Sequence, residues 1–170
     1  YYSPLANGKG VTALCVDVTE RTRSQRLQEI LFNISRATLQ ADTLHSLLGI
    51  VRQQLSNLLY TGNFVVALYD EDRDVYTFPY WNNTIKNYEN AAQGISLKGK
   101  LTDYVRRTGQ PMLVSTEEHY RLHQQGIVTT EPPYSPVWMG VPLTTQAGAI
   151  GVIVVQSYDN PDTYDLHDLE

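Results

Sequence analysis

Apolar positions recur along the chain with two different periods. From Ser24 onward, Leu27, Ile30, Leu31, Ile34, Ala37 and Thr38 fall three or four residues apart, the stripe of one helix face. Asp42 then stands as the expected N-cap of a second helix striped by Leu44, Leu47, Leu48, Val51, Leu55, Leu58 and Leu59 and closing near Thr61-Gly62. Beyond residue 62 the period shortens to two. Residues 63–69 and 75–81 flank the polar run 70–74, and residues 138–144 and 149–158 flank 145–148, so each pair predicts a β-hairpin. Strict alternation along the second strand puts Tyr76, Phe78 and Tyr80 on one face and Thr77, Pro79 and Trp81 on the other.

Between the hairpins, residues 101–108 read as a short helix stopped by Gly109, and residues 112–114 as a short strand. Ser115-Thr116-Glu117-Glu118 has the form of a capping box and predicts a helix to about Gln125. Three prolines stiffen residues 129–136, and a last helix is expected from about Asp165. These elements predict an α+β fold with a mostly antiparallel central sheet. The long helices are expected on one sheet face and the insert of loops and short helices, residues 82–135, on the other. Loops cover a sheet less tightly than helices do, so a pocket is expected beneath the insert. Upstream, residues 10–19 read as a single strand after the turn signal Asn7-Gly8 and are expected to pair either in a missing upstream domain or on a neighbouring sheet.

A length of 170 residues suits one domain with a fragment of a neighbour. Thirteen Lys and Arg against eighteen Asp and Glu leave a net charge of −5, which disfavours nucleic acid and anionic lipid as partners. No apolar run approaches the ~20 residues of a membrane span, so no membrane insertion is expected in this segment. The one cysteine, Cys15, has no bridging partner and points to a reducing compartment, hence a cytoplasmic location. The start at Tyr1 without a methionine reads as a piece of a longer polypeptide.

Candidate chemistry is sparse. No nucleophile stands with a base, and no glycine-rich phosphate loop follows a strand, so neither an enzyme nor a bound cofactor is expected. His119 and His123 have the i, i+4 spacing of a zinc pair but lack a third ligand, and are read as solvent-facing or pocket-rim residues. Twelve tyrosines are the unusual feature of the composition. Tyr69, Tyr80, Tyr104, Tyr134 and Trp138 form the candidate ligand pocket, since aromatic rings with polar edges suit a half-wet cavity, although burial under loops accounts for them equally. Leu27, Leu31, Ile34 and Thr38 predict a parallel homodimer seam along the first helix.

The run from Asn63 through Asp74 with Phe78-Pro79-Tyr80 resembles the first hairpin of GAF domains in bacterial sensor proteins. Leu101 through Pro111, Trp138-Met139-Gly140-Val141-Pro142-Leu143, Gly151 through Tyr158 and the segment from Tyr164 resemble later parts of that fold, in the same order. Asp17-Val18-Thr19-Glu20-Arg21 resembles the end of a PAS domain. The resemblance implies a PAS remnant over residues 1–21, a signalling helix over 22–41 and a GAF domain over 42–170. Such a segment is expected to be a non-catalytic sensor module of a signal-transduction protein, of the histidine kinase or diguanylate cyclase kind. It would bind a small molecule or partner domain and relay the signal through helices to a downstream output domain. The alternative is a ligand-free GAF domain acting as a dimerisation spacer. Bilin attachment and the sulfoxide reductase activity found in this family both require cysteines within the domain, which this segment lacks. The partial cyclic-nucleotide pattern at Asn160, Tyr164 and Asp168 lacks its lysine.

Overall fold

The computed structural model describes residues 2–4, 11–13, 19–83 and 94–169. Two short strands, β1 (Tyr2–Pro4) and β2 (Val11–Ala13), pair antiparallel with each other. The strand expected over 10–19 is therefore partnered within the N-terminal segment and independent of the main sheet, and its residues 14–18 lie outside the described residues. Helix α1 (Thr19–Gln40) begins five residues before the expected Ser24, because the polar run from Thr19 adds a turn that the apolar stripe does not signal. It packs on α2 (Leu44–Leu55) with Ile30 and Ala37 buried, and the Asn33 Nδ2 donates to Gln54 Oε1 at 3.1 Å.

The cap of α2 is Thr43, whose hydroxyl accepts from the Ser46 amide at 3.1 Å, and not the expected Asp42. The helix also stops earlier than expected, at Leu55, where the chain turns so that Leu58 and Leu59 follow outside it. Leu59 still joins Leu48, Val51 and Leu55 against Phe64, Val66, Met139 and Val155 of the sheet. Apolar spacing alone therefore overstates the helix.

The sheet has five antiparallel strands: β3 (Phe64–Asp70), β4 (Val75–Asn82), β5 (Met112–Ser115), β6 (Val137–Thr145) and β7 (Gly148–Ser157). Their order is β4-β3-β7-β6-β5, with β3 and β7 buried at the centre. Both expected hairpins are present as β3–β4 and β6–β7. Between them, α3 (Leu101–Thr108) ends on Gly109 at φ 64°, a left-handed cap that favours glycine. Ser115 caps α4 (Thr116–Gln124) by accepting from the Glu118 amide at 3.2 Å. The segment after Tyr164 forms a single 3-10 turn, Leu166–Leu169, in place of the expected closing helix.

Period-two alternation separates two cores. Phe64, Val66, Val137, Met139 and Val155 face α2, while Val65, Val114, Trp138, Val152 and Val154 face α3 and α4. On β4 the alternation breaks. Thr77 pairs with Leu68 but Tyr80 with Val66, so three residues of β4 advance against two of β3 at a bulge around Pro79. Tyr80 consequently lies on the α2 face, edge-on to Phe64 at 5.7 Å, and Trp81 joins Phe78 on the α3 face at 5.1 Å. The faces expected for Tyr80 and Trp81 are exchanged, because a proline in an edge strand lacks the donor for regular pairing and favours the bulge.

Candidate functional site

A cavity of about 160 Å³ lies between the sheet and its cover of short helices and loops. Its floor is the α3-facing row of the sheet: Val65 and Ala67 of β3, Phe78 and Trp81 of β4, Trp138 of β6, and Val154 and Gln156 of β7. Alternation brings these residues to one face, and the Pro79 bulge adds the Trp81 indole, which regular pairing would have sent to the other side. The roof comprises Leu97, the start of α3 at Lys100, Leu101 and Thr102, His119 of α4, and Tyr134 with Ser135 from the proline loop. The pocket is thus walled by aromatic rings and interrupted by a few polar groups.

His119 and Tyr134 close one end. Their rings stack at 4.1 Å with 15° between planes, and His119 is only 6% exposed. Position 119 lies three residues before Leu122, the other buried residue of α4, so both project inward from one helix face. His123, one turn on, holds the loop: its Nδ1 lies 2.7 Å from the Thr130 carbonyl and 2.9 Å from the Tyr134 hydroxyl. The carbonyl only accepts, so the Nδ1 carries the proton in this arrangement. Partial desolvation, and then the charge of Glu131, raise the Tyr134 hydroxyl above its ordinary pKa. The two histidines are spent on ring stacking and loop anchoring, and the described residues contain no group of three His, Cys, Asp or Glu side chains suited to a metal ion.

Of the five aromatic residues expected at a pocket, Tyr134 and Trp138 line this cavity. Tyr80 is on the opposite sheet face, and Tyr104 of α3 is half-buried away from the lining. Tyr69 is placed outside the lining by a separate polar cluster: the Arg106 guanidinium sits 3.7 Å above its ring, and its hydroxyl donates to Asp74 at 2.8 Å. At the centre of that cluster, Asp103 accepts from the Tyr76 hydroxyl at 2.7 Å and from the Arg107 Nε at 2.9 Å. Arg106 Nε donates in turn to the Tyr76 oxygen at 2.6 Å. Burial, then the bond to Asp103, drives the Tyr76 hydroxyl far above its ordinary pKa, so it remains a neutral donor. The network ties α3 to β4 and holds the Lys100 end of the helix over the cavity.

Sequence reasoning missed Phe78, Trp81, Lys100, Thr102 and Gln156 as wall residues, while His119, read as solvent-facing or pocket-rim, lies buried in the wall. The available signals were Pro79 inside a strand, which marks a bulge, and the His119–Leu122 spacing, which marks an inward helix face. The residues of the partial cyclic-nucleotide pattern lie away from the cavity and have structural uses. Asn160 caps a 3-10 turn, Tyr164 donates to the Tyr60 carbonyl at 2.7 Å, and Asp168 accepts from the Asp165 amide at 2.9 Å.

A five-stranded antiparallel sheet between a long-helix layer and a short-helix cover, with a small cavity under that cover, defines an α+β sandwich of helices about one sheet rather than a doubly wound nucleotide fold or a barrel. The chain belongs to the GAF domain family, whose model matches residues 43–170. No curated protein matches it in sequence. Among solved structures it is similar to the GAF domain of the phosphoenolpyruvate-protein phosphotransferase from Acinetobacter, at 18% identity and a TM-score of 0.63, covering 86% of this chain and 83% of that one. It is also similar to residues 122 to 287 of a methyl-accepting chemotaxis protein, at 17% identity, TM-score 0.61 and coverage of 79% and 84%. A third similar structure is free methionine-R-sulfoxide reductase from Neisseria meningitidis with its substrate, at 16% identity, TM-score 0.61 and coverage of 84% and 78%. At these identities the likeness is one of fold. GAF domains are in general regulatory. No helix among the described residues is long and apolar enough to cross a membrane.

Proposed function

We propose that this domain is a non-catalytic sensor that binds a small molecule in the cavity beneath α3 and α4 and passes the binding strain to α1. The observation that carries the reading is the cavity itself. About 160 Å³ of space, lined by Phe78, Trp81, Trp138 and the stacked pair His119–Tyr134, stands where close packing of the same residues would otherwise be expected. The path to α1 is short. Val65 faces the cavity and its neighbours Phe64 and Val66 face α2, against which α1 packs. In the longer signalling protein that the N-terminal residues suggest, a PAS-like segment precedes α1 and an output domain, of kinase or cyclase type, follows the GAF domain. The exposed side of α1 then serves as the seam of a parallel homodimer. A second reading, a ligand-free dimerisation spacer, is favoured by that exposed apolar seam alone.

The two readings separate in one experiment. Single-ring metabolites, nucleotides and amino acids are screened by thermal shift on the intact protein, with Trp138→Ala measured alongside. A sensor gains melting temperature with at least one compound, and Trp138→Ala weakens that compound by roughly 1–3 kcal/mol, the contribution of one stacked aromatic contact. If no compound stabilises the chain and Trp138→Ala only lowers its stability, the spacer reading stands in place of the sensor.

A further inference from the structure

We infer that the cavity is built for a single-ring aromatic carboxylate, with Lys100 as the counter-charge. This rests on the sensor reading and adds a chemical class to it. Size sets the first limit. An apolar cavity near 150 Å³ holds a benzene-sized guest, whereas drug-sized ligands occupy about 300–1,000 Å³. At about 160 Å³ the present cavity matches one six-membered ring with a small substituent and is small for a whole nucleotide. Shape and polarity set the second limit. Phe78, Trp81, Trp138 and the stacked pair His119–Tyr134 present ring faces and edges to the interior, which suit a flat guest better than a branched aliphatic one.

Charge sets the third. Among the described wall residues, Lys100 alone carries a full formal charge, and none is a carboxylate. The nearest acidic residue in sequence, Asp103, is 6% exposed and already engaged by Tyr76, Arg106 and Arg107. Lys100 enters no ion pair among the described residues. It also occupies the N-cap position of α3 without making a side-chain capping bond, so the open amide end of that helix adds to the positive potential on the same wall. An uncompensated ammonium beside an aromatic slot favours an anion whose ring fills the slot and whose carboxylate meets the lysine.

The chain supplies its own reporter, since its two tryptophans, Trp81 and Trp138, both line the cavity. Intrinsic tryptophan emission is therefore titrated with sodium benzoate, benzamide and sodium acetate, on the unmodified chain and on Lys100→Met. Benzoate is expected to change the emission with a Kd roughly tenfold below that of the neutral benzamide, the scale of one charge-assisted hydrogen bond. Acetate leaves the emission unchanged because it cannot fill the slot. In Lys100→Met the preference for benzoate over benzamide disappears while benzamide binds as before. Equal binding of benzoate and benzamide to the unmodified chain overturns the assignment of an anion and leaves the small-molecule sensor standing. Silence from both overturns the inference, and the wider thermal-shift screen then decides separately on the sensor reading.

Discussion

Asp103 shows how much of the domain can depend on one side chain. A carboxylate that is 6% exposed requires its charge to be compensated, and Tyr76, Arg106 and Arg107 compensate it from two elements. Removing the carboxylate leaves the buried Tyr76 hydroxyl with the Arg106 Nε, a donor, as its remaining partner in this network, and leaves Arg106 without its counter-charge. Asp103→Ala is expected to cost roughly 2–4 kcal/mol, somewhat below the full cost of splitting a buried pair because Arg107 already reaches solvent. Urea denaturation of the variant measures this directly. A loss below about 0.5 kcal/mol, the range of an exposed ion pair, would show that the network is superficial.

Among the elements, β6 carries the tightest constraint. Trp138 and Gly140 project from the same sheet face, and a Cβ on Gly140 would fall within the Trp138 indole. The glycine is required there so that the ring can lie flat over the strand and form the cavity floor. Gly140→Ala is expected to tip the indole, cost about 1–3 kcal/mol through overpacking, and shift the tryptophan emission. A variant with unchanged stability and emission would refute that geometry. The hairpins, α3 with its glycine stop, the Ser115 cap and the antiparallel layer order were all legible in the sequence, since each depends on local periodicity or turn chemistry. The exchange of Tyr80 and Trp81 was not, because a bulge is a choice between two pairings and appears in the sequence only as Pro79. The early stop of α2 was hidden because Leu58 and Leu59 are apolar for packing on the sheet from a turn, and the closing 3-10 turn is a tertiary outcome. Of the pocket, Tyr134 and Trp138 could be anticipated from composition and His119 as a rim residue, whereas Lys100 becomes a wall residue only through the placement of α3.

At the scale of the whole molecule, the sheet separates a helical side from a cavity side, and α1 is the outermost layer of the helical side. Ile30 and Ala37 are consumed against α2, yet Leu31 is 62% exposed and Leu39 88% exposed, and Leu27 remains open beside them. An apolar strip of this kind on a helix is suited to a second copy of itself. Sedimentation of the intact chain should show a dimer at micromolar concentration. Leu31→Glu should weaken association roughly tenfold or more by burying a charge, with the sheet's circular dichroism unchanged. A monomer at high micromolar concentration would exclude the seam.

The margins of the sheet bear on that choice of partner. Along β4, Tyr76 exchanges both of its backbone hydrogen bonds with Ile95, at 2.8 and 2.9 Å, and Pro79 has no amide hydrogen to offer. The opposite margin, β5, is four residues long and passes directly into α4. Among the described residues, neither border presents the long flat row of free amides and carbonyls on which a foreign strand could grow. Copies of this domain can therefore be crowded without their sheets fusing into fibrils, and the choice of neighbour is left to the helices.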